Sequence, residues 1–149
     1  MTTRPVSSVV PPSPMVIDET ECLRLLRSTT IGRISVSAGA LPVVVPVTYV
    51  LMGELILLRT VAASRLSTAL DDAVVAFEVD DYDFADHRGW SVMVQGRARL
   101  LKREDELRMA LAQPLLPWGD PDSPFFVTID CDRVSGRRIG LPPATIPSR

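Results

Sequence analysis

The chain of 149 residues is poor in the residue types that carry chemistry on their own. It has one histidine, His87, which excludes a multi-histidine metal site and a histidine-rich catalytic cluster. That residue sits in "DFADHRGW", a polar connection, and reads as a solvated loop residue. The two cysteines, Cys22 and Cys131, are too far apart for a metal-type spacing. With no secretion signal, they read as reduced, buried thiols. Aromatic residues make up 5%, too few for the stacking platforms of a small-barrel nucleic-acid binder. The formal net charge is -2 and the pI is near 5.4, where a phosphate-backbone binder carries a basic excess. Nucleic acid is therefore not expected as a partner. No apolar run approaches the roughly 20 residues of a membrane span. No glycine-rich loop is present, so the dinucleotide and triphosphate fingerprints are absent. The opening "MTTRPVSSVVPPSPM" is no secretory leader, because Pro11, Pro12 and Pro14 interrupt its apolar region. A cytoplasmic protein that avoids membranes is the expectation.

Hydrophobic residues, at 46%, are plentiful enough for one packed domain. Residues 1–15, rich in Pro, Ser and Thr, read as a flexible arm. Residues 136–149 read as a tail, which leaves 16–135 as the domain.

Inside it the hydrophobic period changes several times. Asp18 is placed to cap a helix and Glu21 to bond back to it, with Cys22, Leu25 and Leu26 on one face. From "GRISVSA" the period is two: Ile34, Val36 and Ala38 face one way, Arg33, Ser35 and Ser37 the other. "LPVVVPVTYVL" continues it, with Val43, Val45, Val47, Tyr49 and Leu51 on one side. Pro46 removes a backbone donor there, so that strand is at an edge or bulged. After the turn at Met52-Gly53-Glu54 comes "LILLRT", which completes an antiparallel meander. "ASRLSTALDD" reads as a short helix, "AVVAFEVDD" as a strand, "YDFADHRG" as a loop and "WSVMVQGRARLL" as the longest strand. Gly96, in its middle, predicts a bulge or a close approach by something else. "REDELRMALA" gives a third helix and "FFVTID" a last strand. Six short antiparallel strands and three helices predict a small barrel, because closure removes exposed edges.

One stretch gathers chemistry. In "RTVAASRL", Arg59, Thr60, Ser64 and Arg65 cluster where a strand hands over to a helix. Such a junction offers free N–H groups. Arginine forks bind phosphate oxygens in pairs. A mononucleotide-phosphate site and an ordinary solvated strand end both fit this stretch taken alone.

The order of segments discriminates further. "IGRISV", "LPVVVPVTYVLMGELILLRT", "SRLSTALDDAVVAFEVDD" and "GWSVMVQGRARLL", spanning about residues 16 to 135, resemble the flavin-binding split barrels of the pyridoxamine 5'-phosphate oxidase family, nitroimidazole-reductase-like branch. The resemblance implies a mainly β, six-stranded antiparallel split barrel with peripheral helices. It implies a homodimer with FMN at the subunit interface. By the same resemblance Val47, Thr48 and Tyr49 face the flavin ring, and Arg59, Thr60, Ser64 and Arg65 hold its phosphate. Trp90, Ser91 and Gln95 complete the pocket, often from the partner. Many relatives place lysine where Arg65 stands, which keeps a deazaflavin open as the alternative to FMN. The implied activity is an FMN-dependent oxidoreductase acting on a small organic molecule, with a nicotinamide cofactor as one source of electrons. A non-catalytic flavin, deazaflavin or haem carrier is the rival on the same fold. No residue stands out as an essential acid or base.

Overall fold

The computed structural model describes the backbone of residues 15–61, 64–116 and 124–140, and the side chains of all these except 61, 64, 65 and 124. The remainder of the expected arm 1–15 and tail 136–149, residues 1–14 and 141–149, lies outside the described residues.

The chain opens with a three-residue strand, β1 (Met15–Ile17), followed by α1 (Glu19–Arg27). The Asp18 carboxylate accepts from the Glu21 N–H at 2.8 Å, as a capping residue should. The reciprocal bond expected from Glu21 is replaced. Its carboxylate takes the Arg24 fork at 2.7 Å and Arg138 at 2.9 Å, since two guanidinium groups are stronger partners than one backbone N–H. Cys22, Leu25 and Leu26 are buried.

The meander follows as β2 (Ile31–Ala38), β3 (Leu41–Met52) and β4 (Leu55–Val61), antiparallel and in sequence order. β3 pairs with β2 from Leu41 to Thr48 but with β4 only from Thr48 to Met52. Pro46 lies in the stretch with a neighbour on one side, so its missing N–H leaves no gap in a ladder. Then come α2 (Ser64–Leu70), β5 (Val74–Asp83), β6 (Arg88–Leu100), α3 (Glu104–Leu111), β7 (Pro124–Asp130) and β8 (Arg133–Gly140).

Pairing of β6 with β7 closes a ring of six strands in the order β6-β5-β2-β3-β4-β7. The split is on β6. Its end, Ala98 to Leu100, pairs with β7, whereas Arg88 to Gln95 pair with β8, which β1 extends. Gly96 stands at the fork, and a Cβ there would lie 1.7 Å from the Asp130 carbonyl oxygen. The close approach predicted at this glycine is that of the β7–β8 turn.

The expectation of six strands is corrected to eight among the described residues, a six-stranded barrel with two strands added outside it. β8 crosses the boundary set at residue 135. Its alternation brings arginines outward and a glycine inward, a pattern with too few apolar residues to announce a strand. β1 is too short to show a period. The β5–β6 hairpin also runs further than expected, leaving only 84–87 as its turn, with His87 exposed at φ 52°.

The main core fills the barrel and the space under α1. Ile34, Val47, Ile56, Phe77, Val92 and Ile129 are fully buried in it. Tyr49 joins the layers: its ring meets Phe77 edge-on at 4.8 Å, and its hydroxyl donates to the Leu26 carbonyl at 2.6 Å while Thr29 donates to it at 2.5 Å. A second, smaller cluster lies on the outer surface of β4 and β7 under α3: Leu57, Leu101, Ala110, Leu115 and Phe126.

Candidate functional site

Strand register decides which predicted residues meet. Thr48 on β3 stands opposite Arg59 on β4, and Arg59 opposite Phe126 on β7. Side chains directly opposite share a face, so these three form one row on the outer surface of the barrel. The Arg59 guanidinium carbon lies 5.5 Å from the Phe126 ring centroid, a cation–π contact that fixes the stem of the arginine. Its Nη1 donates to the Leu115 carbonyl at 3.4 Å, and the Thr48 hydroxyl donates to the Leu116 carbonyl at 2.9 Å. α2 begins at Ser64, three residues beyond the last residue of β4 and five after Arg59 in the chain. The side chains of Ser64 and Arg65 lie outside the described residues.

The same alternation separates other predicted residues from this row. Val47 and Tyr49 point into the barrel and are fully buried, so of the three residues expected to face the flavin ring Thr48 is the one whose side chain turns outward. Period two sends Thr48 out and both its neighbours in. Thr60 is likewise buried, on the face opposite that of Arg59. Trp90 is half-buried and packs against the main core.

Ser91 and Gln95 do face outward, half-buried, on β6. Ser91 stands between Asp80 and Arg137, and Gln95 between Ala76 and Arg133. In the sheet, β5 and β2 intervene between β6 and β3. That separates this group from Thr48 by three strand spacings, roughly 14 Å. One chain does not bring the two groups together.

Between them lies an ion-paired strip. Arg33 on β2 reaches both Glu78 and Asp80 on β5, each at 3.1 Å. Burial first, and then the Asp80 charge, raise the Glu78 carboxyl above the usual carboxylate range. Burial also pushes the Cys131 thiol up to about 11. Among the described residues no group of three or more His, Cys, Asp or Glu is arranged to hold a metal ion. No helix among them is long and apolar enough to cross a membrane.

The contributions that sequence reasoning missed are Phe126 and the carbonyls of Leu115 and Leu116. Phe126 carries a readable signal, since it alternates with the core-facing Phe125 and Val127 in "FFVTID". Backbone carbonyls after a helix carry none.

The fold and this chain's residues both have counterparts. An uncharacterized protein of Mycobacterium tuberculosis is 34% identical over 129 residues, covering 83% of this chain and 84% of that protein. The structure of an FAD binding protein from Mycobacterium smegmatis is 31% identical, with a TM-score of 0.72 over 85% of this chain and 99% of that one. A conserved protein of unknown function from Corynebacterium diphtheriae is also 31% identical, with a TM-score of 0.72 over 87% of this chain and 100% of that one. The family described as pyridoxamine 5'-phosphate oxidase matches residues 18–138, from the cap of α1 to the inner arginine of β8. A closed six-stranded ring forked at β6, matched by that family along nearly its whole described length, is a flavin-type split barrel, and the chain belongs to the pyridoxamine 5'-phosphate oxidase family.

Proposed function

We propose that the chain is a flavin-dependent oxidoreductase that works as a homodimer, with a flavin nucleotide held at the seam between two copies. The observation that carries this reading is the row Thr48–Arg59–Phe126 on the outer surface. A flavin phosphate bears close to two negative charges at neutral pH. A guanidinium fork and a hydroxyl are suited to it, and the Phe126 ring keeps the fork in place. The donor set thus fits a phosphate-bearing cofactor. Arg59 and Thr48 would hold it, with Ser64 and Arg65 as the further candidates on α2. The bound flavin supplies the redox chemistry, and the chain's own residues orient it and exclude water.

The seam is supported by the surface beside the row. Ile31, Val44, Val74 and Met93 are exposed on the outer side of β2, β3, β5 and β6, an apolar spread around the Arg33 ion pairs. Exposed apolar area of this kind marks association surfaces. A second copy packed there brings its own Ser91 and Gln95 within reach of the first copy's Arg59, which one chain alone does not.

FMN is the cofactor that fits the site in its simplest form. FAD is a second reading, favoured by the 31% identity to the FAD binding protein of Mycobacterium smegmatis. Both share the phosphate that Arg59 and Thr48 would hold. A nicotinamide cofactor is the proposed reductant, and a small organic molecule the acceptor.

Mass spectrometry of the ligand released on denaturation decides between FMN, FAD and a deazaflavin. A yellow protein whose visible band bleaches with reduced nicotinamide and recovers with an acceptor is the result expected of the enzyme. Colour without turnover shows the carrier instead. Arg59→Ala removes charge-assisted bonds that contribute roughly 1.5–3 kcal/mol each, so flavin affinity should fall about tenfold or more. Unchanged affinity removes Arg59 from the site.

A further inference from the structure

We infer that the segment 113–116, just after α3, is a latch on the Thr48–Arg59 pair, and that an anionic headgroup takes Arg59 only by displacing it. This rests on the phosphate reading of that pair. The segment leaves α3 through a tight turn, with Gln113 N–H bonded to the Ala110 carbonyl at 3.1 Å and Leu115 N–H to the Gln113 carbonyl at 2.7 Å. Of its four side chains one, Leu115, is buried. Leu115 is buried in the outer cluster with Leu57, Leu101, Ala110 and Phe126. Leu116, by contrast, is 76% exposed.

What the segment offers the site is backbone oxygen. Its two successive carbonyls accept from Arg59 and from Thr48, the two donors that the strand register puts side by side. Thr48 is only 7% exposed, although its register neighbour Ile31 on the same outer surface is 49% exposed. The segment lies against this buried Thr48, with the Leu116 carbonyl on its hydroxyl. A neutral carbonyl at 3.4 Å is a weak partner for a guanidinium, and an anionic oxygen is a stronger one. The exchange favours the anion once the segment is out of the way. Binding then carries the cost of lifting it, and the apparent dissociation constant is the intrinsic one divided by the fraction of chains in which it is open.

The test loosens the anchor without touching the donors. Leu115→Ala, and the milder Leu115→Val, are titrated with FMN and with FAD beside the wild type, following flavin fluorescence. The latch predicts binding at least about threefold tighter in Leu115→Ala, with Leu115→Val between it and the wild type. Binding that appears only in the variants supports it as well. Should wild type and variants bind alike, or the variants more weakly, the latch is overturned while the flavin reading stands. Should none of them bind either flavin, both are overturned. Hydrogen exchange on the wild-type chain covers the case in which a variant does not fold. Saturating FMN should speed exchange at the Leu115 and Leu116 amides, and slower or unchanged exchange there overturns the latch.

Discussion

Gly96 shows how much one missing methyl group decides. A Cβ there meets the Asp130 oxygen at 1.7 Å, and that oxygen is backbone that cannot swing aside. Gly96→Ala must push the β7–β8 turn off β6 and open the fork of the barrel. Overpacking a rigid site costs ~3 kcal/mol or more, so the urea midpoint should drop sharply or the chain should fail to fold. A change under about 1 kcal/mol contradicts the geometry of the fork. Cys131, in that same turn, offers a second test. Burial of its thiol, with the charges of Glu54 and Asp130 adding to it, raises its pKa from 9.0 to about 11. The native chain therefore keeps the proton where the unfolded chain has lost it. Stability must fall as pH rises from about 9 to about 11. Alkylation of native Cys131 at pH 8 should also be many-fold slower than in the denatured chain. Equal rates in the two states show the thiol to be more exposed than the structure has it.

Elements are joined by contacts between named side chains, and Tyr49 makes one between α1 and the barrel. Its hydroxyl serves the Leu26 carbonyl near the end of the helix and receives the Thr29 hydroxyl just after it. Tyr49→Phe keeps the edge-on contact with Phe77 and strands both partners. The expected loss is ~1–2 kcal/mol by chemical denaturation with no change in flavin affinity, because the ring faces the core. A large loss of flavin binding instead would return Tyr49 to the site. The element scale also shows what was legible in the sequence. β2 and β3 were readable because each buries mainly one face, which forces period two on Ile34, Val36, Val47 and Tyr49, and β4 was readable as the apolar run after the Gly53 turn, buried on both faces. α1 was readable from Asp18 and its apolar stripe. β8 was not, because Arg133, Ser135 and Arg137 face outward and the inner side is shared with Gly136 and Arg138. Of the candidate site, the meeting of Arg59 with Thr48 follows once β3–β4 register is known, and the turn at Gly53 sets that register. The alternation that builds β3 turns Thr48 outward and Val47 and Tyr49 inward. The carbonyls of 115 and 116 belong to no residue type, so no sequence pattern reports them.

At the scale of the molecule the two groups of candidate residues lie on surfaces that one barrel holds apart. Arg59 and Thr48 lie on β4 and β3, Ser91 and Gln95 on β6, with β5 and β2 between. If both groups serve one flavin, a second copy must supply one of them, and cofactor binding and dimerisation must rise and fall together. The exposed apolar residues on the same outer surface allow that to be tested without substituting any of these four. Val44 is 61% exposed opposite Ser35, and Met93 is 38% exposed between Glu78 and Ser135. Charged side chains at both positions are tolerated by a folded monomer, since each already meets solvent, but not in a desolvated seam, where an unpaired charge costs several kcal/mol. In the double variant Val44→Asp, Met93→Lys, sedimentation should find the dimer's dissociation constant raised at least about a hundredfold relative to the wild type. Flavin retention should fall in step with the dimer as the protein is diluted, while the thermal unfolding of the barrel stays within a few degrees. A variant that sediments as a monomer yet holds flavin as tightly as the wild type would place the whole cofactor site within one chain, and the outward faces of β6 and β8 would then need another explanation.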